Sequence, residues 1–459
     1  MASLSATSAT SATLGLAIVG CGQIMTHHTA AINAVADIAS IEVRALCDPS
    51  SDRRDAIRAI VQGDGDGGGG ADRTIHEFND LDELLSSSSV SALCSLVLIA
   101  VPHDLHEAIA IKAIKAGKTV VLEKPLAPTL ESCHTLIRVS ADLVLEAGVT
   151  AQAAAQAAKV ESGLWKEGEE GEGGMEATDA ADATDKAEAI ARSVPMLIVA
   201  EQSPYWEEVA LAKSLIDDGA IGSVVSAAGY YYESMRDNIT SGVDAAGGLG
   251  WRCSVARAGG GIVIDGGLHW LRPLRVMLGK EVDSVVGTID YRSPALRMEG
   301  ETISHALIKM RQRNTECGAA SGVGGAGGAE KPLVATYSAN LLATAPMAHD
   351  VCPYFRVTGT EGEIVIKGTG LFANGGGGAR LYNDEFPEGK ELFDADRQGA
   401  FFLGFRGLWV SVAQTLRDNN HKAAHQTVKD AGADVAVALA IYRSSETGQW
   451  ETPSITGDE

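Results

Sequence analysis

A glycine turn set between an apolar strand and a helix constrains this chain more than any other feature. Leu14 to Val19 reads as a strand, Gly20-Cys21-Gly22 follows at once, and Gln23 to Val35 has a helical pattern. Glycines at such a joint let backbone approach a pyrophosphate. The helix behind them offers unpaired N–H groups and the positive end of its dipole, which reaches Gly22, Gln23 and Ile24 first. The usual third glycine or alanine is Met25 here, and a lone Gly-x-Gly also makes plain tight turns. A second apolar strand, Ile41 to Leu46, ends at Cys47-Asp48-Pro49. It puts a carboxylate where adenosine ribose hydroxyls would be met. Asp48 would repel a 2′-phosphate and so favours NAD. Arg53 and Arg54 nearby keep NADP possible, and Asp48 can also be read as a turn former.

The alternation continues. Helix Ser51–Ile60, short helix Leu81–Leu85, strand Ala92–Ala100, helix His103–Ala116, strand Thr119–Leu122, helix Glu131–Ala147 and strand Met196–Ala200 follow in order. Near-continuous apolar strands separated by helices predict a parallel sheet covered on both faces. From Tyr205 the pattern changes. Helix Tyr205–Asp218 stops at Gly219, and strands follow with hairpin-like joints: Ser223–Tyr232, Val282–Tyr291, Thr302–Met310, Leu333–Leu342, Tyr354–Thr358 and Glu363–Lys367. The fold class expected is α/β: an N-terminal Rossmann dinucleotide-binding domain plus a C-terminal α+β domain with a large, mostly antiparallel sheet. The predicted division is a disordered tail 1–13, a nucleotide domain 14–202 and a substrate-binding and oligomerisation domain 203–459.

Low-complexity stretches interrupt this plan at Gly63–Gly70, at about 150–192, and around Gly318–Gly328 within an insertion of about 317–331. Such segments bury too little apolar surface to offset their ordering entropy. The second has a possible helical start at Ala151–Ala158, and between Glu161 and Glu188 it carries ten acidic residues against two lysines. It thus supplies part of the net charge of −23. Acidic surface argues against nucleic acid or an anionic membrane as partner. Seven scattered cysteines with no Cys-x-x-Cys pair argue against a disulfide framework or a zinc site, so no metal is expected and a reducing compartment is. Met1 to Thr13 lacks any Arg or Lys, and no apolar run reaches membrane-spanning length. A cytoplasmic location is expected, with a short organellar signal as the alternative.

Two further motifs carry chemistry. Glu123-Lys124-Pro125 closes a strand, and carboxyl ends of parallel strands are where ligands bind in such sheets. A lysine there can donate to a substrate hydroxyl or a developing alkoxide. Gly259-Gly260-Gly261 leads to Asp265-Gly266-Gly267-Leu268-His269. On a helix Asp265 and His269 share one face, and the glycines would let that helix press on a flat ring or another backbone. A flexible loop with a surface Asp and His is the plainer reading.

Together these motifs resemble the Gfo/Idh/MocA oxidoreductase family, typified by glucose–fructose oxidoreductase and inositol dehydrogenase. Val101-Pro102-His103-Asp104-Leu105-His106, Ala116-Gly117-Lys118, Leu215 to Gly222, Gly359-Thr360-Glu361-Gly362 and Ala440 to Ser444 add to the resemblance, which runs from Leu14 to about Gln449. It implies a catalytic set of Lys124, Asp265 and His269, and puts Pro102, His103 and His106 near the nicotinamide half of the cofactor. Glu123 and Lys124 are counted among the cofactor contacts, with Glu123 shaping the turn rather than acting chemically. Trp251 and Arg252, with Tyr205 and Trp206, fall where a substrate could be touched, although buried aromatic core is the commoner fate of such residues. The family's common Asp three residues after the His is Arg272 here, and Pro273 beside it predicts a kink.

The implied reaction is reversible hydride transfer between NAD(P) and a secondary alcohol or the anomeric hydroxyl of a sugar, polyol or dihydrodiol. His269 is the expected base, Lys124 the oxyanion partner, and Asp265 orients the substrate hydroxyl or His269. The alternative is a non-catalytic dinucleotide-binding regulator of the same fold. An enzyme that never releases its cofactor is a third possibility. Partners are a small sugar-like molecule and, by the family's habit, further copies in a homodimer or homotetramer.

Overall fold

The computed structural model describes residues 13–62, 74–161, 193–233, 250–291, 298–312, 332–342, 354–367, 378–393 and 400–454. Residues 1–12, the Gly63–Gly70 stretch, positions 162–192 and the glycine-rich Gly318–Gly328 fall outside this set.

The first sheet holds β1 (Leu14–Val19), β2 (Ile41–Cys47), β3 (His76–Phe78), β4 (Leu96–Ile99), β5 (Thr119–Glu123) and β6 (Leu197–Ala200). Their spatial order is β3-β2-β1-β4-β5-β6, and every pairing is parallel. Leu16 to Ile18, Val97 to Ile99 and Val120 to Leu122 are fully buried. Both faces of these strands are covered, which is why they read as unbroken apolar runs. Each such Leu or Ile contributes roughly 1.5–3 kcal/mol of burial. Connecting helices are α1 (Met25–Asn33), α2 (Ser51–Gln62), α3 (Leu81–Ser86), α4 (Ser88–Leu93), α5 (His106–Lys115) and α6 (Leu130–Glu161). Asp80 caps α3 by accepting the Glu83 N–H at 2.9 Å.

The second sheet has eight strands in the order β14-β13-β12-β11-β7-β10-β9-β8. They are β7 (Val224–Tyr232), β8 (Lys280–Asp290), β9 (Ile303–Gln312), β10 (Leu333–Asn340), β11 (Phe355–Gly359), β12 (Gly362–Lys367), β13 (Gly378–Asn383) and β14 (Lys390–Glu391). All pairings are antiparallel except β7 with β10, which is parallel. Alternate residues of β9 are buried and the others face outward, the mark of a sheet covered on one face. Helix α7 (Glu207–Asp217) and helix α8 (Leu268–Leu278) lie against this half, α8 directly on β7. Helix α9 (Ala400–Arg417) packs on α1, and α10 (His421–Thr447) packs on α6, β6 and β8 alike.

Several expectations are corrected. Ala92 and Leu93 end α4, so β4 starts at Leu96. Helix α6 runs on past Ala147 to Glu161, because the alanine- and glutamine-rich stretch after it has high helix propensity. Strands β3, β13 and β14 are additional. Asp265, Gly266 and Gly267 lie in successive turns ahead of α8, not inside a helix. Finally, α8 continues through Pro273 to Leu278 without a break.

Candidate active site

The carboxyl edge of the first sheet carries the candidate residues in spatial order. Asp48 follows β2, Gly20 follows β1, Pro102 follows β4, Lys124 follows β5 and Glu201 follows β6. Gly20 has φ +93°, and a Cβ there would fall 2.2 Å from the Ala100 carbonyl oxygen. Only glycine satisfies both demands. A Cβ on Gly22 would meet nothing within 4 Å, and Ile24, the residue before α1, makes no side-chain cap. The turn is thus open in front of uncapped N–H groups, a geometry that fits a dinucleotide pyrophosphate. Gln23 is exposed and Ile24 half-buried at its rim.

Asp48 is buried, and its oxygens accept the N–H groups of Cys21 and Ser50, both at 2.9 Å. It therefore braces the glycine turn from beneath. Burial pushes the Cys21 thiol up to about 12, with the Asp48 carboxylate adding to the effect.

Lys124 precedes a cis Pro125. Its Nζ donates to Asp265 Oδ1 at 3.1 Å and to the Asp265 carbonyl at 3.0 Å. Arg252 Nε donates to Asp265 Oδ2 at 2.8 Å. Burial would raise the Asp265 carboxyl, but Arg252, Lys124 and His103 outweigh it and hold it well below the usual range. Asp265 is therefore a permanent anion clamped between two cations.

Asp265 does not orient His269, contrary to one expectation. His269 Nδ1 lies 2.8 Å from Glu201 Oε1. A carboxylate only accepts, so Nδ1 carries the hydrogen and Nε2 is the ring's proton-accepting nitrogen. Burial would lift the Glu201 carboxyl, yet the His269 ring and the donors of Ser203 bring it down to about 2. Register puts the two strand ends side by side, because Glu123 pairs with Ala200. Lys124 and Glu201 are the next residues along. Glu201 was missed from sequence because a single acid after an apolar strand belongs to no motif. Its place at a parallel strand's carboxyl end was the available signal.

His103 is buried, with Nδ1 donating to the Ala258 carbonyl at 2.9 Å and its ring 4.6 Å from that of Trp251. Burial pushes its imidazole well below the usual range, against the pull of Asp265. Arg252, which pairs with Asp265, lies 4.6 Å over the Trp251 ring. His106 corrects the expectation. It is fully buried, its nitrogens sit 2.8 and 3.1 Å from the Pro125 and Val101 carbonyls, and it braces the turn instead of facing a ligand. Glu123 is likewise occupied, accepting from His28 at 2.7 Å and from the Lys124 N–H at 3.1 Å. Trp206 is core, 5.7 Å from the Trp270 ring, while Tyr205 packs on Gly407 of α9.

Gly266 and Gly267 press on Tyr231 and Tyr337: a Cβ would strike the Tyr231 ring at 2.5 Å and the Tyr337 hydroxyl at 2.2 Å. The flat partner of this turn is therefore the second sheet. Arg272, which departs from the family pattern, engages Asp434 and Asp430 of α10, as does Arg275.

Residues 14–150 match the model described as the oxidoreductase family with NAD-binding Rossmann fold, and residues 209–365 match the GFO/IDH/MocA C-terminal domain. The chain belongs to the Gfo/Idh/MocA oxidoreductase family. The first sheet of this family member is thus an NAD-binding Rossmann domain. It is 30% identical over 133 residues to the inositol 2-dehydrogenase of Corynebacterium glutamicum, covering 29% of this chain and 34% of that protein. The curated relatives it matches are covered over only 15% to 34% of their length. In fold it is similar to the aldose–aldose oxidoreductase of Caulobacter crescentus complexed with glycerol (TM-score 0.61, 18% identity, covering 96% of this chain and 100% of that one). It is also similar to the WlbA dehydrogenase of Bordetella pertussis in complex with NADH and UDP-GlcNAcA (TM-score 0.58, 17% identity, 96% and 99% covered). No helix among the described residues is long and apolar enough to cross a membrane.

Proposed function

We propose that this chain is an NAD(P)-dependent oxidoreductase that transfers hydride between nicotinamide and a secondary alcohol or anomeric hydroxyl of a sugar, polyol or dihydrodiol. One observation carries the reading: Lys124, paired with Asp265, and Glu201, paired with His269, follow adjacent strands on the same sheet edge as an open glycine turn. Bound nicotinamide would supply the hydride acceptor. Gly20, Gly22, Gln23 and Ile24 would hold the pyrophosphate, and Asp48 would fix their turn on the adenosine side. Pro102 and His103 would border the nicotinamide.

Lys124 Nζ donates to the substrate oxygen and stabilises the charge that develops there as the proton leaves. Asp265 accepts from that ammonium and holds it in place. His269 accepts the hydroxyl proton on Nε2 while Glu201 holds Nδ1–H, so the ring presents its lone pair to the substrate. Trp251 and Arg252 close the substrate side.

The sugar-like substrates named for the structural neighbours support this class. Exposed Leu307 and Val334 on the outer face of the second sheet support a homodimer or homotetramer. We divide the chain at 202/203, with insertions at about 150–192 and 317–331, and place it in a reducing cytoplasm. The test is reduced-nicotinamide absorbance with NAD and NADP against a panel of polyols, aldoses and dihydrodiols. Turnover that vanishes in Lys124→Met and His269→Gln, both still folded, supports the reading; turnover unchanged in both overturns it.

A further inference from the structure

Three parts of the fold meet at one fully buried imidazole. His28 lies in the first turn of α1, directly behind the glycine turn, and is 0% exposed. Its ring is 4.8 Å from Phe405 and 5.9 Å from Trp409, both in α9. The Trp409 indole N–H donates to His28 Nδ1 at 2.9 Å. An indole can only donate, so Nδ1 is the bare nitrogen and Nε2 bears the hydrogen. That hydrogen goes to Glu123 Oε1 at 2.7 Å, and Glu123 Oε2 accepts the backbone N–H of Lys124 at 3.1 Å. One neutral tautomer satisfies every contact in the row.

If His28 only filled space between Phe405 and Trp409, an apolar ring would do so without desolvating a polar one. What the imidazole adds is a donor aimed at the carboxylate beside Lys124. Glu123 is the last residue of β5, so fixing its side chain fixes the backbone from which Lys124 departs. Displacement of a reacting group by about 1 Å can cost roughly a hundredfold in rate.

We propose that His28 is a positioning residue for Lys124: it anchors Glu123, sets the direction in which the Lys124 side chain leaves β5, and ties that direction to the seating of α1 on a bound dinucleotide. The proposal rests on the reading of Lys124 as the hydroxyl's partner, but it predicts a physical effect that needs no substrate. An occupied glycine turn should alter the environment of the Lys124 amine, and the alteration should pass through His28.

The full chain is labelled with limiting trinitrobenzenesulfonate, with and without NADH, and Lys124 is compared with the half-buried surface lysine Lys213 in the same molecules by mass spectrometry. In the wild type NADH should change the Lys124:Lys213 ratio by at least about fivefold, since a lysine's reactivity follows its charge and contacts. In His28→Leu the ratio without NADH should shift by about the same factor and its response to NADH should fall below about twofold. His28→Gln, which keeps a side-chain N–H donor, should recover most of that response. Trp409→Phe, which leaves His28 in place but frees its tautomer, should give an intermediate response and decides the matter alone if His28→Leu does not fold. A wild-type response retained in every folded variant overturns the proposal, even if thermal midpoints fall. A ratio that responds while Lys124→Met keeps full turnover leaves the positioning intact and removes Lys124 from the chemistry.

Discussion

Glu201→Gln tests the orientation of the proposed base through a quantity the structure supplies. The Glu201 carboxyl is 5% exposed, and burial alone would raise it. The His269 ring and the Ser203 donors instead bring it from 4.5 down to about 2. That difference corresponds to about 3 kcal/mol. A carboxyl whose folded value lies below its unfolded one contributes stability in full above the unfolded value. The contribution is lost as pH falls toward the folded one. The wild type should therefore lose about 3 kcal/mol from this group between about pH 5 and about pH 2. The glutamine variant, with nothing to titrate there, should lack that slice of the curve. The amide can also turn its NH₂ toward Nδ1, which moves the imidazole hydrogen to Nε2 and removes the base. kcat/KM should fall by roughly 10²–10⁴, the range seen when a buried carboxylate partner of a catalytic histidine becomes an amide. Urea titrations across the acid range and initial rates at neutral pH measure the two effects. Parallel stability curves for both proteins, or a rate within about threefold of wild type, would show that the dyad does not orient His269.

Other perturbations have equally definite outcomes. Lys124→Met should lower kcat/KM by roughly 10²–10³ while NADH affinity, read by fluorescence titration, stays within about threefold. Gly20→Ala should abolish NADH binding or prevent folding, since its Cβ would lie 2.2 Å from the Ala100 oxygen at a φ of +93°. Asp434→Asn leaves Arg272 and Arg275 short of a buried counter-charge and should cost about 3–5 kcal/mol in urea unfolding. In native protein Cys21 should react with a thiol reagent only on unfolding, because burial holds its thiol at about 12.

The first sheet was legible because a strand covered on both faces leaves an unbroken apolar run, as in Leu96–Ile99, and because a backbone approach such as that at Gly20 demands glycine. Strand ends limited by neighbours were harder. Ala92 and Leu93 are as apolar as the strand that follows, yet they finish α4. Strands β13 and β14 carry little signal: in Gly378–Asn383 only Ala379, Arg380 and Leu381 alternate, and Lys390–Glu391 is two exposed residues. Within the site, Lys124, Asp265 and Arg252 could be named from motif positions, but their pairing is a tertiary fact. The spacing of Asp265 and His269 suggested one helical face. The structure gives Asp265 to Lys124 and Arg252, and His269 to Glu201. The position of Glu201 at a strand's carboxyl end marks it as a candidate, but its partner, like that of His28, lies far off in sequence, 68 and 95 positions away. Local pattern carries no trace of such a partner.

Helix α10 lies against β6 and α6 as well as β8, and the Thr427 hydroxyl accepts the N–H of Val199 at 2.9 Å across 228 positions. During translation the flank of β6 must therefore wait, bare, for residues that emerge long after the sheet's own strands. A nascent chain halted after β6 would present that flank to trigger-type chaperones or to proteases. Ribosome-bound chains stopped before and after α10 should differ sharply in cleavage near Val199.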